Sequence, residues 1–153
     1  MNQLSLLFQN RILIAAVTGW LVAQLLKTII HLYFTKSFVP ERLVGSGGMP
    51  SSHSATVCAL STAAAIQYGL GSFEFAICAI VAIIVMYDAL GVRRETGIQA
   101  KVINEMMELF SSMNKELSTD EKLKELVGHT PLQVLMGAIL GIIIAFVVMD
   151  LYI

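Results

Sequence analysis

With 153 residues, of which 56% are hydrophobic and only 14% charged, and a mean hydropathy of +0.75, the chain is too apolar for an ordinary soluble domain of its size. A net charge of −1 provides no global basic field, which argues against a nucleic-acid partner and moves the interest to where the charges sit. The expectation is an all-α polytopic membrane bundle of about four transmembrane helices plus amphipathic cytoplasmic helices, with one membrane domain covering residues 1–153.

In chain order, residues 12–33, 54–70, 73–90 and 131–153 are long enough, or nearly so, to cross a hydrocarbon core of about 30 Å. No Lys or Arg precedes the first run within residues 1–10 and no A-x-A site follows it, so it reads as a retained span rather than a cleaved signal. The second run is rich in Ala, Ser and Thr, side chains that suit close packing inside a bundle better than exposure to lipid. Cys58 and Cys78 fall inside apolar runs, where packing is their expected role; no disulfide, metal or cofactor is expected. In the fourth run Gly137 and Gly141 form a G-x-x-x-G spacing that suits close helix approach and makes a homodimer plausible.

Between the third and fourth runs, residues 91–130 form a cytoplasmic helical insertion. Ile98, Val102, Met106, Leu109, Phe110 and Met113 recur at spacings of three and four, so one helix face is apolar and should rest on the bundle or the membrane surface. Ser118-Thr119-Asp120-Glu121 then reads as the cap of a second short helix reaching about Val127. If all four runs span, Lys36, Arg42, Arg93, Arg94, Lys101, Lys115, Lys122 and Lys124 share one side and Arg11 lies opposite. The positive-inside rule then places the loops in the cytoplasm and the termini outside, as expected for a bacterial plasma-membrane protein.

The ionisable groups gather at that cytoplasmic face. Lys27 ends the first span, His53 begins the second, Asp88 ends the third, Arg93 and Arg94 follow it, and His129 precedes the fourth. Charged groups near a membrane bundle are costly and usually face its interior or a water-filled cavity. Gly45-Ser46-Gly47-Gly48-Met49-Pro50-Ser51-Ser52-His53-Ser54 adds small residues ahead of a helix start, where backbone N–H groups can converge on an oxyanion. This set suits phosphoryl transfer: cations neutralise phosphate oxygens, one imidazole attacks phosphorus and the other protonates the departing oxygen. Plainer readings stand beside it. Ser51 or Ser52 can be an N-cap, Lys27 can snorkel to the headgroups, Asp88 can pair with Arg93 or Arg94, and His31 reads as an interfacial or packing residue.

Three strings carry a family resemblance: Ser46-Gly47-Gly48-Met49-Pro50-Ser51-Ser52-His53-Ser54; Met86-Tyr87-Asp88-Ala89-Leu90-Gly91-Val92-Arg93-Arg94 with Gly97, Gln99 and Ala100; and Gly128-His129-Thr130-Pro131. Together they resemble the divergent branch of the type-2 phosphatidic acid phosphatase superfamily, also described as acid phosphatase or vanadium-dependent haloperoxidase related. The parent pattern is Lys-x6-Arg-Pro, then Pro-Ser-Gly-His, then Ser-Arg-x5-His-x3-Asp, working without metal. Here Lys36 and Arg42 are one residue too close and Leu43 stands where Pro would be, and Lys27 is the candidate substitute. Pro50-Ser51-Ser52-His53 keeps the second segment, so the resemblance implies His53 as general acid.

Counting the parent spacing from Arg93 reaches Gln99, which cannot form a phospho-enzyme. The third segment therefore reads as split by the amphipathic insertion, with Arg93 or Arg94 binding phosphate and His129 as nucleophile. Gln133 occupies the place of the orienting Asp, and Asp88 is the expected replacement. The resulting expectation is a metal-independent phosphatase for a lipid phosphate or diphosphate at the cytoplasmic leaflet. Its catalytic residues would be His53, His129 and Asp88, with Lys27, Arg93, Arg94, Ser46, Gly47, Gly48, Ser51 and Ser52 on the phosphate. The altered motifs make an inactive phospholipid or phosphate binder or carrier the alternative, and a structural membrane subunit is the third class.

Overall fold

A computed structural model describes residues 3–36, 47–113, 123 and 128–151. The second short helix expected from Ser118, Ser46 of the Gly-rich string, and Arg42 with Leu43 lie outside the described residues. The described residues form six helices: α1 (Gln3–Leu7), α2 (Arg11–Thr35), α3 (Ser52–Tyr68), α4 (Phe73–Leu90), α5 (Val92–Met113) and α6 (Pro131–Leu151). The short α1 has no counterpart in the hydropathy pattern.

Local chemistry starts these helices. Asn10, Ser51 and Ser72 each sit in extended backbone and accept a hydrogen bond from the N–H three residues on, at Leu13, Ser54 and Phe75 respectively. Each thereby satisfies a donor that the first turn leaves without an intrahelical partner. At 25 residues and 1.5 Å per residue, α2 is about 37 Å long and more than spans the bilayer core.

Among the described residues three stretches are long and apolar enough to cross a membrane: Arg11–Thr35, Phe73–Ser112, in which α4 and α5 are separated only by Gly91, and Pro131–Leu151. The remaining run of the expected four forms α3, which at 17 residues is shorter and less apolar than its neighbours. Its position explains that composition. It packs against α2, α4 and α6, and most of its side chains as far as Ala64 are buried or half-buried. The Ala, Ser and Thr content thus reflects a helix enclosed by other helices.

The seams around α3 are built from small residues. Gly19 of α2 lies against Ala55 and Ala59, Gly137 of α6 against Ser51 and Ser54, and Gly141 against the backbone of Ala55. At Gly137 and Gly141 a methyl group would overlap a backbone carbonyl oxygen, so glycine alone permits this approach. The G-x-x-x-G pair therefore serves α3 of the same chain, which withdraws it as a reason to expect a homodimer. Below the seams, Ala15, Ala59, Ala63, Ala145, Val148 and Met149 form the core, while Trp20, Leu25, Ile29, Ile83, Ile84 and Phe146 point outward. Small residues inside and large apolar ones outside suit lipid as the surrounding solvent.

Two backbone hydrogen bonds set the helix directions. Ser51 N–H donates to Gln133 O, so α3 and α6 start side by side, and His129 N–H donates to Ala89 O, which brings the end of α4 to the same place. One end of the bundle thus collects two helix starts and the end of a third.

Candidate functional site

Gly47 and Gly48 both adopt positive φ, 98° and 84°, a region that side chains disfavour, and this coil leads into the Ser51 cap. The Ser51 hydroxyl is fully buried and accepts from both the N–H and the hydroxyl of Ser54. Of the readings open for Ser51, capping is therefore the one its side chain occupies. Ser52 is also buried, with its carbonyl accepting from the Thr56 hydroxyl. His53 follows in the first turn of α3.

His129 is placed from the other side. Gly128 has φ 91° and packs so tightly on the backbone of Arg93 and Arg94 that a methyl group there would overlap the Arg94 amide nitrogen. This contact and the bond to Ala89 fix Gly128 and His129 at the α4–α5 corner. The imidazoles of His53 and His129, 76 positions apart in sequence, consequently lie with ring centroids 5.9 Å apart and planes inclined by 60°. The two rings are thus neighbours at one end of the bundle.

The hydrogen bonding of His129 determines its tautomer. Gln133 Oε1 accepts from the Thr130 backbone N–H at 3.1 Å, which identifies that atom as the amide oxygen. The same oxygen lies 3.2 Å from His129 Nδ1, so Nδ1 carries the proton and donates, leaving Nε2 with its lone pair. Burial holds the His129 imidazole below its ordinary pKa; the Gln133 hydrogen bond opposes this, and the charges of His53, Lys27 and Arg93 add to the depression. At neutral pH His129 is thus a neutral imidazole whose Nε2 carries the lone pair.

Asp88 does not take the orienting part expected of it. Its carboxylate pairs with Arg93 Nε, with both side chains partly exposed, and Gln133 supplies the contact at His129 Nδ1. Lys27 is 98% buried by the 2% exposure of the residue, and with Arg93 and Asp88 it acts electrostatically on His53. A purely snorkelling lysine would be more exposed. Gln99, the strict-spacing position of the nucleophile, is exposed on α5.

A cleft of about 310 Å³ opens beside His129, lined by Gly47, Gly48, Arg94, Gly97, Ile98, Lys101, Gly128, Thr130 and Gln133. A larger cavity of about 580 Å³ lies at the opposite end, near Asn10, Arg11 and Tyr68, remote from the histidines. Among the described residues, no three His, Cys, Asp or Glu side chains converge to hold a metal ion.

Lys101 and Gln24 escaped the sequence reading. Lys101 falls seven positions after Arg94 and so shares its helix face, a periodicity signal that could have found it. Gln24 is 5% exposed on the same buried face of α2 as Lys27 and Thr28, and its Oε1 has no hydrogen-bond partner among the described residues. An amide within an apolar span was itself a signal.

A family model described as "Divergent PAP2 family" matches residues 8–144. The chain belongs to this family. A Bacillus subtilis (strain 168) relative named "Uncharacterized membrane protein YuiD" is 39% identical over 150 residues, which cover 92% of this chain and 95% of that one. No solved structure shows a significant match. The match to the Divergent PAP2 family, the membrane-protein relative and the long apolar helices together establish a helical membrane protein of this branch.

Proposed function

We propose that this protein is a metal-independent phosphatase of lipid phosphates or diphosphates, working at the cytoplasmic leaflet through a histidine nucleophile. The observation that carries the reading is the His129 arrangement: Nδ1–H donates to Gln133, Nε2 keeps its lone pair, and the His53 ring lies 5.9 Å away. Nε2 attacks phosphorus while the bond from phosphorus to the leaving oxygen breaks, and protonated His53 gives that oxygen its proton. A phosphate dianion beside His53 favours the protonated imidazole this step requires. Water then attacks the phosphohistidine, His53 takes up the water proton, and phosphate departs with Nε2 restored. Lys27 and Arg93 offset the charge on the equatorial oxygens, and Arg94 lines the cleft beside His129.

The leaflet assignment rests on the excess of Lys and Arg in the segments that carry the motifs. Reporter fusions that put the termini in the cytoplasm would reverse it. A second reading, a phosphate or phospholipid binder without turnover, is favoured by Gln133. A neutral amide orients His129 but stabilises an imidazolium less than a carboxylate does.

The test is phosphate release from a panel of lipid phosphates by purified protein in detergent with EDTA, alongside acid-labile phosphate trapped on the chain. Release and trapping that vanish in His129→Ala support the phosphatase. Specific binding of the same lipids with neither release nor trapping selects the binder.

A further inference from the structure

The cations at this end of the bundle fall into two sets. Lys27 and Arg93 act on the histidine pair, whereas Arg94 and Lys101 line the cleft beside His129. Two turns of α5 separate Arg94 from Lys101, so they project from one face about 10 Å apart along the helix axis. Between them Gly97 is buried and has no side chain to fill the space, and Ile98 forms an apolar wall. Among the described residues the lining contains no Asp or Glu. Lys101 does approach Glu105, at 3.8 Å, but both side chains are more than 60% exposed, and such a pair yields readily to a competing anion. A volume of about 310 Å³ exceeds what one phosphate occupies and reaches the lower bound for small-molecule pockets.

We infer that Arg94 and Lys101 form a second anion subsite, which holds the inner phosphate of a headgroup whose terminal phosphate lies between His53 and His129. The inference rests on the phosphatase reading for which phosphate is terminal. It narrows the substrate class to lipids whose headgroup carries two phosphates joined by a short linker, in preference to lipids with a single phosphate. After the terminal ester bond is cleaved, the inner phosphate remains on Arg94 and Lys101 with the lipid.

Soluble headgroup analogues test this on the full chain in neutral detergent. Calorimetric titration compares glycerol 3-phosphate with glycerol 1,3-bisphosphate. The wild type is expected to bind the bisphosphate about tenfold more tightly, the worth of one charge-assisted contact. In Lys101→Gln the preference should fall to about twofold, the statistical advantage of a ligand with two equivalent ends, and Lys101→Arg should restore it. Unchanged melting of both variants shows that the fold is intact, as an exposed site should allow. A wild-type preference of twofold or less, or one that persists in Lys101→Gln, overturns the subsite. The two readings fail separately. Phosphate release from lipids without a bisphosphate preference leaves the phosphatase standing and removes the subsite, whereas a Lys101-dependent preference without turnover keeps the subsite and removes the phosphatase.

Discussion

Replacing Gly137 by Ala probes the seam that holds the two histidines in register. The new methyl would overlap the Ser51 carbonyl oxygen and stand 3.0 Å from Ser54 Cβ, where carbon atoms normally keep about 3.5–4.0 Å. Both obstacles belong to the buried start of α3 and neither is a flexible side-chain tip, so α6 must retreat from α3 by about 1 Å. Overpacking of this kind costs about 1–3 kcal/mol, which for a domain of this size lowers the melting temperature by about 3–10 °C. The retreat also carries His129 away from His53, and a misplacement of about 1 Å in a catalytic pair can cost about a hundredfold in rate. Thermal unfolding in detergent, followed by circular dichroism and by Trp20 fluorescence, measures the first effect; phosphate release measures the second. Gly71→Ala is the control, because a methyl group there meets nothing within 4 Å. If Gly137→Ala melts within about 1 °C of the wild type, as the control should, the α3–α6 seam does not have the tightness described and the argument fails.

Four further outcomes are expected. Because burial depresses His129 below its ordinary value of 6.5, its nucleophilic neutral form persists below that pH, and kcat/KM should lose its acid limb only at lower pH; Gln133→Glu, which sets a carboxylate on Nδ1, should move that limb upward. An identical limb in both proteins would exclude His129 as the titrating group. The same shift has a stability consequence: the unfolded chain takes up a proton on His129 before the folded chain does, so this contribution is full above 6.5 and declines as pH falls from there toward the folded pKa, as pH-dependent melting of wild type and His129→Leu can check. Gly128→Ala combines a positive φ with overlap on the Arg94 backbone and should destabilise by more than about 1 kcal/mol, a thermal melt indistinguishable from wild type being the contrary result. Asp88→Asn should melt within about 2 °C of the wild type, since the Arg93 pair is partly exposed, and a drop of more than about 5 °C would show a buried structural role instead.

What could be read from the chain alone was whatever depends on neighbours in sequence. Hydrophobic runs of sufficient length identify helices that cross a bilayer, and Ser51 was open to reading as a helix start because a capping side chain reaches only the next turn. The Ala-rich composition of the second run already implied a helix enclosed by others, because small side chains favour close backbone approach. The motif strings placed His53 and His129 at the ends of different helices facing one side, which follows from connectivity once the spans are known.

Partner choice was not legible in the same way. Asp88 had Arg93, Arg94 and His129 within its topological neighbourhood, and the turn at Gly91 delivers it to Arg93, five residues away. Gln133 sits one helical turn after His129, so its contact with Nδ1 was sterically available from sequence, yet the Thr130 N–H at the start of α6 is what orients its oxygen. Gly137 and Gly141 presented a small-residue face whose spacing is identical whether the partner is another copy or α3 of the same chain, and the packing of α3 decided it. Sequence by itself determined the membrane helices and the end of the bundle at which the charges collect, because hydrophobic length, capping and charge asymmetry are properties of contiguous residues. Only the tertiary structure decided which side chains meet there, because a separation of a few ångströms between groups on different helices depends on how closely glycine and alanine seams let those helices approach.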